Sequence, residues 1–168
     1  KNAIKLLNER GKAMQTAVPK GTGGKVAVLG VDIKEINNLL EENQNNYKCY
    51  IANDNSNGQI VLSGFNSDID KFAENLKDKK IKNIKLPVSA PFHCKLMEKA
   101  TLEMSDKIIS TNFKKPENAI ISNVTGTETS EVEEIKNLLI KQIESPVRWR
   151  ESVIYMINKG VTNFIEIG

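Results

Sequence analysis

Between Lys25 and Ser89 the apolar residues switch repeatedly between two periods, and this switching restricts the fold more than any other feature of the 168 residues. "KVAVLGV" is a short apolar strand, and "DIKEINNLLEENQNN" puts Ile33, Ile36, Leu39 and Leu40 on one face of a helix. "YKCYIA" and "QIVLSG" are two more strands; the intervening "NDNSNG" has the composition of a turn, so they pair antiparallel. "NSDIDKFAENLKDKK" is a second amphipathic helix, with Ser67 expected as its N-cap and Asp70 three residues on. "NIKLPVS" closes the set as a fourth strand. The order βαββαβ is the split pattern of ferredoxin-like domains.

The flanking residues do not belong to that unit. "KNAIKLLNERGKAMQ" is a helix, and "VPKGTGG" is a loop that leads into the first strand. Beyond Ser89, the spacing predicts a long helix starting at about His93, with Met97, Ala100, Met104 and Ile108 on one stripe. Then follow a strand in "AIISNV", a helix after Ser130, the segment "QIESPVRW", another helix and a last strand in "VTNFIEIG". This second part has an α/β pattern. The expectation is an α/β chain in which residues 25–89 form a ferredoxin-like subdomain set into a larger α/β domain built from residues 1–24 and 90–168. Lys1 is already in helical stride with no cap before it, and the last strand stops at Gly168 as though a turn should follow. These ends predict a fragment, or a chain trimmed to its ordered part.

Several function classes are excluded early. Two cysteines and one histidine cannot supply a four-ligand zinc site, and Cys49 and Cys94 make no disulfide framework. A reducing, cytoplasmic setting is expected. No stretch has the apolar length of a membrane span, and no signal-peptide pattern opens the chain. A net charge of +3 is too small to argue for nucleic acid, although it suits an acidic partner.

The single histidine, His93, follows "APF" where an extended run turns into a helix. It reads either as a helix-start residue held by local hydrogen bonds or as a general base kept neutral by the positive end of that helix. Arg10 is either a solvated arginine or a fork for a carboxylate, with Gly11 beside it leaving room for close approach. Asn53 and Asn55 fit turn chemistry. No G-x-S-x-G elbow occurs, and neither Ser63 nor Ser122 has the glycines of one. Cys94 adjoins the histidine but points elsewhere from the start of a helix, which makes it core or pocket wall. A catalytic His93 therefore needs a nucleophile from outside this chain.

"NERGKAMQTAVPKGTGG", "IANDNSNGQIVLSG", "LPVSAPFHCKLM", "ISNVTG" and "QIESPVRWRESVIYMINKGVTNFIEIG" together resemble the malonyl-coenzyme A:acyl carrier protein transacylase family, in order and over the whole length. That family includes the acyltransferase domains of fatty-acid and polyketide synthases. The resemblance implies an α/β-hydrolase-like large domain with a ferredoxin-like insert. It also implies ping-pong transfer of malonyl from malonyl-CoA, through a serine in a G-H-S-x-G elbow, to the phosphopantetheine thiol of acyl carrier protein. No cofactor is implied, because malonyl-CoA is a substrate. By the same resemblance His93 is the general base, the backbone carbonyl of Gln142 orients it, and Arg10 pairs with the free malonyl carboxylate. Phe92, Asn53 and Asn55 join Arg10 as substrate-binding residues, with Phe92 narrowing the space at malonyl C2. The serine and the oxyanion-hole loop lie upstream of the first helix in the family. The G-P-G run beyond the last strand is also missing here, so these residues alone are expected not to turn over.

The competing reading is a non-catalytic ferredoxin-like module that binds a small ligand or RNA. Its strands lack a pair of exposed aromatics for stacking bases, since Tyr47 and Tyr50 fall three apart, on opposite faces of a strand. The two readings differ over whether His93, Arg10 and Gln142 converge on one cleft. A monomer is expected in either case.

Overall fold

The computed structural model describes residues 2–88 and 90–167. The opening residue Lys1, the expected subdomain boundary Ser89 and the terminal Gly168 lie outside the described residues. The apolar run after the "GTGG" loop forms β1 (Gly23–Leu29), followed by α2 (Ile33–Glu42), β2 (Cys49–Ser56), β3 (Gln59–Phe65), α3 (Asn66–Asp78) and β4 (Lys82–Leu86); α1 (Asn2–Thr16) precedes them. The four strands make one antiparallel sheet in the order β2-β3-β1-β4. Val26 and Val28 lie opposite Leu62 and Ile60, so these four share a face. With Ile36, Ile69, Phe72 and Leu76 they form a closed core beneath α2 and α3. The other face of β1 presents Lys25 opposite Ser63, and it too is covered.

Strand β2 runs further than expected. Asn53 and Asn55 are strand residues rather than turn residues, and the turn is Asn57-Gly58, with Gly58 at a φ of 82°. The ladder to β3 overrides the turn-like composition and is irregular on either side of Asn53 and Asp54. Asp32 caps α2 by accepting from the Glu35 amide at 2.9 Å. Ser67 does not cap α3, which starts at Asn66 with Phe65 in the cap position. The start is fixed instead from the loop: the Asn66 amide donates to Thr22 O, and its side chain donates to Gly21 O.

A second core joins the two flanks. Ala13, Met14 and Val18 pack with Met97, Ala100, Met104 and Ile108 of the segment after β4, together with Ile143. That segment begins later than expected. Lys95–Met97 is a 3-10 turn, α4 runs over Glu98–Ser110, and His93 stands before both at a φ of 64°. The cause is Pro91, which sits so tightly on Gly23 that the chain turns before helix can start. The remainder is β5 (Ile120–Ile121) paired with β6 (Glu128–Thr129), then α5 (Val132–Lys141) and α6 (Trp149–Asn158). Residues 161–167 form no strand, although the composition predicts one; Phe164, Ile165 and Ile167 are exposed, with no ladder partner among the described residues. No helix is long and apolar enough to cross a membrane, among the described residues.

Candidate active site

The segment leading to His93 is held to the sheet from several sides. A Cβ at Gly23 would lie 2.1 Å from Pro91 Cδ, so only glycine lets the proline seat there. Ser63 Oγ donates to Phe92 O at 2.8 Å, and Cys94 Sγ donates to Pro91 O at 3.0 Å. These ties hold His93 in the left-handed region, which residues other than glycine seldom occupy. Burial lowers the imidazole pKa to about 4; the Lys25 and Arg10 cations act in the same direction, and the Gln142 carbonyl opposes them. The ring is neutral near pH 7 because it is buried, not because it starts a helix.

Gln142 follows the last residue of α5, where helical carbonyls run out of intrahelical partners. Its backbone oxygen lies 3.1 Å from His93 Nδ1. Its side chain turns to the same place: Oε1 accepts from Nη2 of Arg10 on α1, and Nε2 lies 3.3 Å from His93 Nδ1. Burial also lowers the Arg10 pKa. The three residues thus line one cleft of about 490 Å³, with Ser122, Asn123 and Leu139 among its walls. His93 also lines a second cleft of about 500 Å³, with Tyr50, Asp54, Cys94 and Arg148. His93 is the one described residue common to both linings.

Phe92, Asn53 and Asn55 line neither cleft. The Phe92 ring packs against the second core, with Lys25 Nζ 5.9 Å from its centroid. Lys25 in turn donates to Asn53 Oδ1 at 3.2 Å. Asn55 is half-buried on β2. A Cβ at Gly11 would meet nothing within 4 Å, so space is open beside Arg10.

Two features escaped the sequence reading. Lys25 is 7% exposed, and burial lowers its pKa to about 8. Its signal was a lysine opening an otherwise apolar strand. Asp54 is likewise buried, and Arg150 of α6 donates to both its oxygens at 2.7–3.0 Å. Beside this pair, Asn53 forms a bridge with Val147, which joins the edge of the sheet to the segment after α5.

The arrangement supplies a neutral base with one nitrogen held and a guanidinium fork for an anion. Among the described residues it supplies no nucleophile: Ser63 is committed to Phe92 O, and burial raises the Cys94 thiol to about 11. No hydroxyl or thiol hydrogen-bonds to His93 among the described residues.

No family model matches the chain. It is 38% identical over 172 residues to the malonyl CoA-acyl carrier protein transacylase of Bacillus subtilis (strain 168), covering all of this chain and 54% of that protein. Among solved structures, the malonyl CoA-acyl carrier protein transacylase of Clostridium perfringens superposes with a TM-score of 0.90 at 36% identity, over 95% of this chain and 50% of that one. A malonyl-transacylase solved in complex with its type II PKS acyl-carrier protein superposes with a TM-score of 0.90 at 32% identity, over 95% of this chain and 52% of that one. The chain spans about half the length of the curated relatives it matches.

Proposed function

We propose, on the premise that this chain is a relative of the malonyl CoA-acyl carrier protein transacylases, that it carries the base and the carboxylate fork of a malonyl transfer. Malonyl moves from malonyl-CoA to the phosphopantetheine thiol of acyl carrier protein. The nucleophile is a serine outside these residues. His93 takes the serine proton as the oxygen attacks the thioester carbonyl. The C–S bond breaks, and the proton passes to the departing coenzyme A thiolate. The carrier thiol then attacks the acyl-serine with the roles reversed. Gln142 O holds His93 and Arg10 pairs with the malonyl carboxylate; Phe92 and Asn53, which line neither cleft, act on the site only from behind it, through Lys25. No cofactor takes part.

The observation that carries this reading is the convergence of His93, Arg10 and Gln142 on one cleft from three separate elements. A free-standing binding module gives Arg10 and Gln142 no reason to meet the histidine. Residues 25–89 are read as a ferredoxin-like subdomain of an α/β-hydrolase-like large domain contributed by residues 1–24 and 90–168. The separation of the two cores supports this division. Leu7, Ile120 and Leu139, exposed around the Arg10 cleft, support the packing of a further, serine-bearing segment there. The enzyme is read as a cytoplasmic monomer.

The test is an intact-mass measurement with malonyl-CoA. These 168 residues alone should gain no adduct. The protein isolated from its own cells should gain one malonyl group and lose it to phosphopantetheinylated carrier. A native protein that carries the serine segment and gains no malonyl group would overturn the reading.

A further inference from the structure

Gln142 reaches His93 twice, and the two contacts make opposite demands on the ring. Arginine can only donate, so the Gln142 atom that meets Arg10 is its oxygen, and the amide nitrogen must face His93. Nδ1 therefore has a pure acceptor, the backbone oxygen, at 3.1 Å and a pure donor, Nε2, at 3.3 Å. A protonated Nδ1 satisfies the carbonyl but points its hydrogen at the amide hydrogens. A bare Nδ1 satisfies the amide but points its lone pair at the carbonyl. The ring cannot suit both.

We propose that the Gln142 side chain is a latch: while Arg10 holds it, it keeps His93 in the tautomer with the proton on Nε2, and a ligand carboxylate that takes Arg10 releases it. This inference rests on the reading of Arg10 as the carboxylate fork. Donation from a cation to Oε1 polarises the amide and strengthens its N–H as a donor, which favours a bare Nδ1. The outward Nε2 then already carries a proton and cannot act as a base. When a carboxylate occupies the guanidinium, Oε1 loses its charged partner and the amide is free to turn away. Nδ1–H then bonds to Gln142 O. One proton leaves Nε2 and one joins Nδ1 through water, with no net uptake, and Nε2 becomes the acceptor. Gln142 is thus a positioning residue whose side chain ties base competence to the charge of the acyl group. An acetyl group leaves the base idle even when it is bound.

The test reads the tautomer directly. His93 is the only histidine, so nitrogen-15 labelling of histidine gives one pair of ring resonances. Near neutral pH, Nδ1 should resonate as a bare nitrogen and Nε2 as an N–H. Saturating monomethyl malonate should exchange the two; dimethyl malonate, which has no carboxylate, should not. Gln142→Ala keeps the backbone oxygen and should show Nδ1–H with no probe present. Gln142→Glu keeps an acceptor for Arg10 but no donor for His93, and should do the same. A free wild-type protein already in the Nδ1–H form, like Gln142→Ala, overturns the latch. So does monomethyl malonate that binds through Arg10 and leaves the tautomer unchanged, an outcome that spares the proposed function. Failure of monomethyl malonate to bind wild type any better than Arg10→Ala removes the release step and so the latch, and the proposed function is then judged by the intact-mass test alone.

Discussion

Nδ1 of His93 lies 3.1 Å from the backbone oxygen of Gln142, 49 residues further along the chain. The contact crosses between elements: His93 rides on a loop fastened to the sheet, and Gln142 follows the last residue of α5. Gln142 sets both a carbonyl and an amide against the ring without adding a titratable group, and burial sets the charge.

The single imidazole should therefore titrate near pH 4 in a proton NMR series, well below the ordinary value of 6.5. Lys25→Met removes a neighbouring cation and should move the midpoint upward, though not fully to 6.5, because burial is the larger cause. The unfolded chain binds a proton between these values that the folded one refuses. This group's contribution to stability is thus intact above about pH 6.5 and declines as the pH falls towards 4. Urea midpoints across that window check the sign.

Arg10→Ala should reduce malonyl transfer by the complete enzyme, while acetyl transfer, low in the wild type, should not fall. A charge-assisted bidentate pair contributes about 1.5–3 kcal/mol, or roughly tenfold to more than a hundredfold in kcat/KM. Arg10→Lys keeps the charge and loses the fork, so it should fall between. Equal losses on both thioesters would remove Arg10 from the carboxylate.

Gly23→Ala should destabilise the fold by about 1–3 kcal/mol, since the new methyl meets the Pro91 ring with nowhere to go. The displaced loop should also shift the His93 resonances. Gly11→Ala, made in open space, should do neither and serves as the control.

Arg150→Ala leaves the buried Asp54 carboxylate without its bidentate partner, at a cost of about 3–5 kcal/mol. Asp54→Asn should cost less, because no charge is stranded in the interior. The double variant should lose less than the sum of the singles, and chemical denaturation of all four proteins measures the coupling.

Much of the fold was legible because strand and helix leave different periods. The Val26–Val28 alternation and the stripe from Ile69 to Leu76 both survive intact in the structure. The errors lie where tertiary contacts outweigh local preference. Asn53 and Asn55 have turn-like composition, but the ladder to β3 holds them extended. Residues 161–167 have strand composition, but strands form in pairs, and none of the described residues pairs with them. His93 was expected to start a helix, but Pro91 seated on Gly23 imposes a left-handed turn first. The site was half legible. His93, Arg10 and Gln142 could each be named, yet the double grip of Gln142 depends on three elements meeting and leaves no trace in spacing. Lys25 was visible only as an odd residue in an apolar strand.

The left-handed turn at His93 also has a mechanical side. Its backbone is riveted to the sheet through Gly23 and Ser63, while its ring is pinned to the end of α5. A rigid link between two separately built cores works as a strain gauge: if the sheet rocks against the helices by even an ångström, the ring must lose one anchorage or the other. The imidazole is then misaligned well before either core loosens.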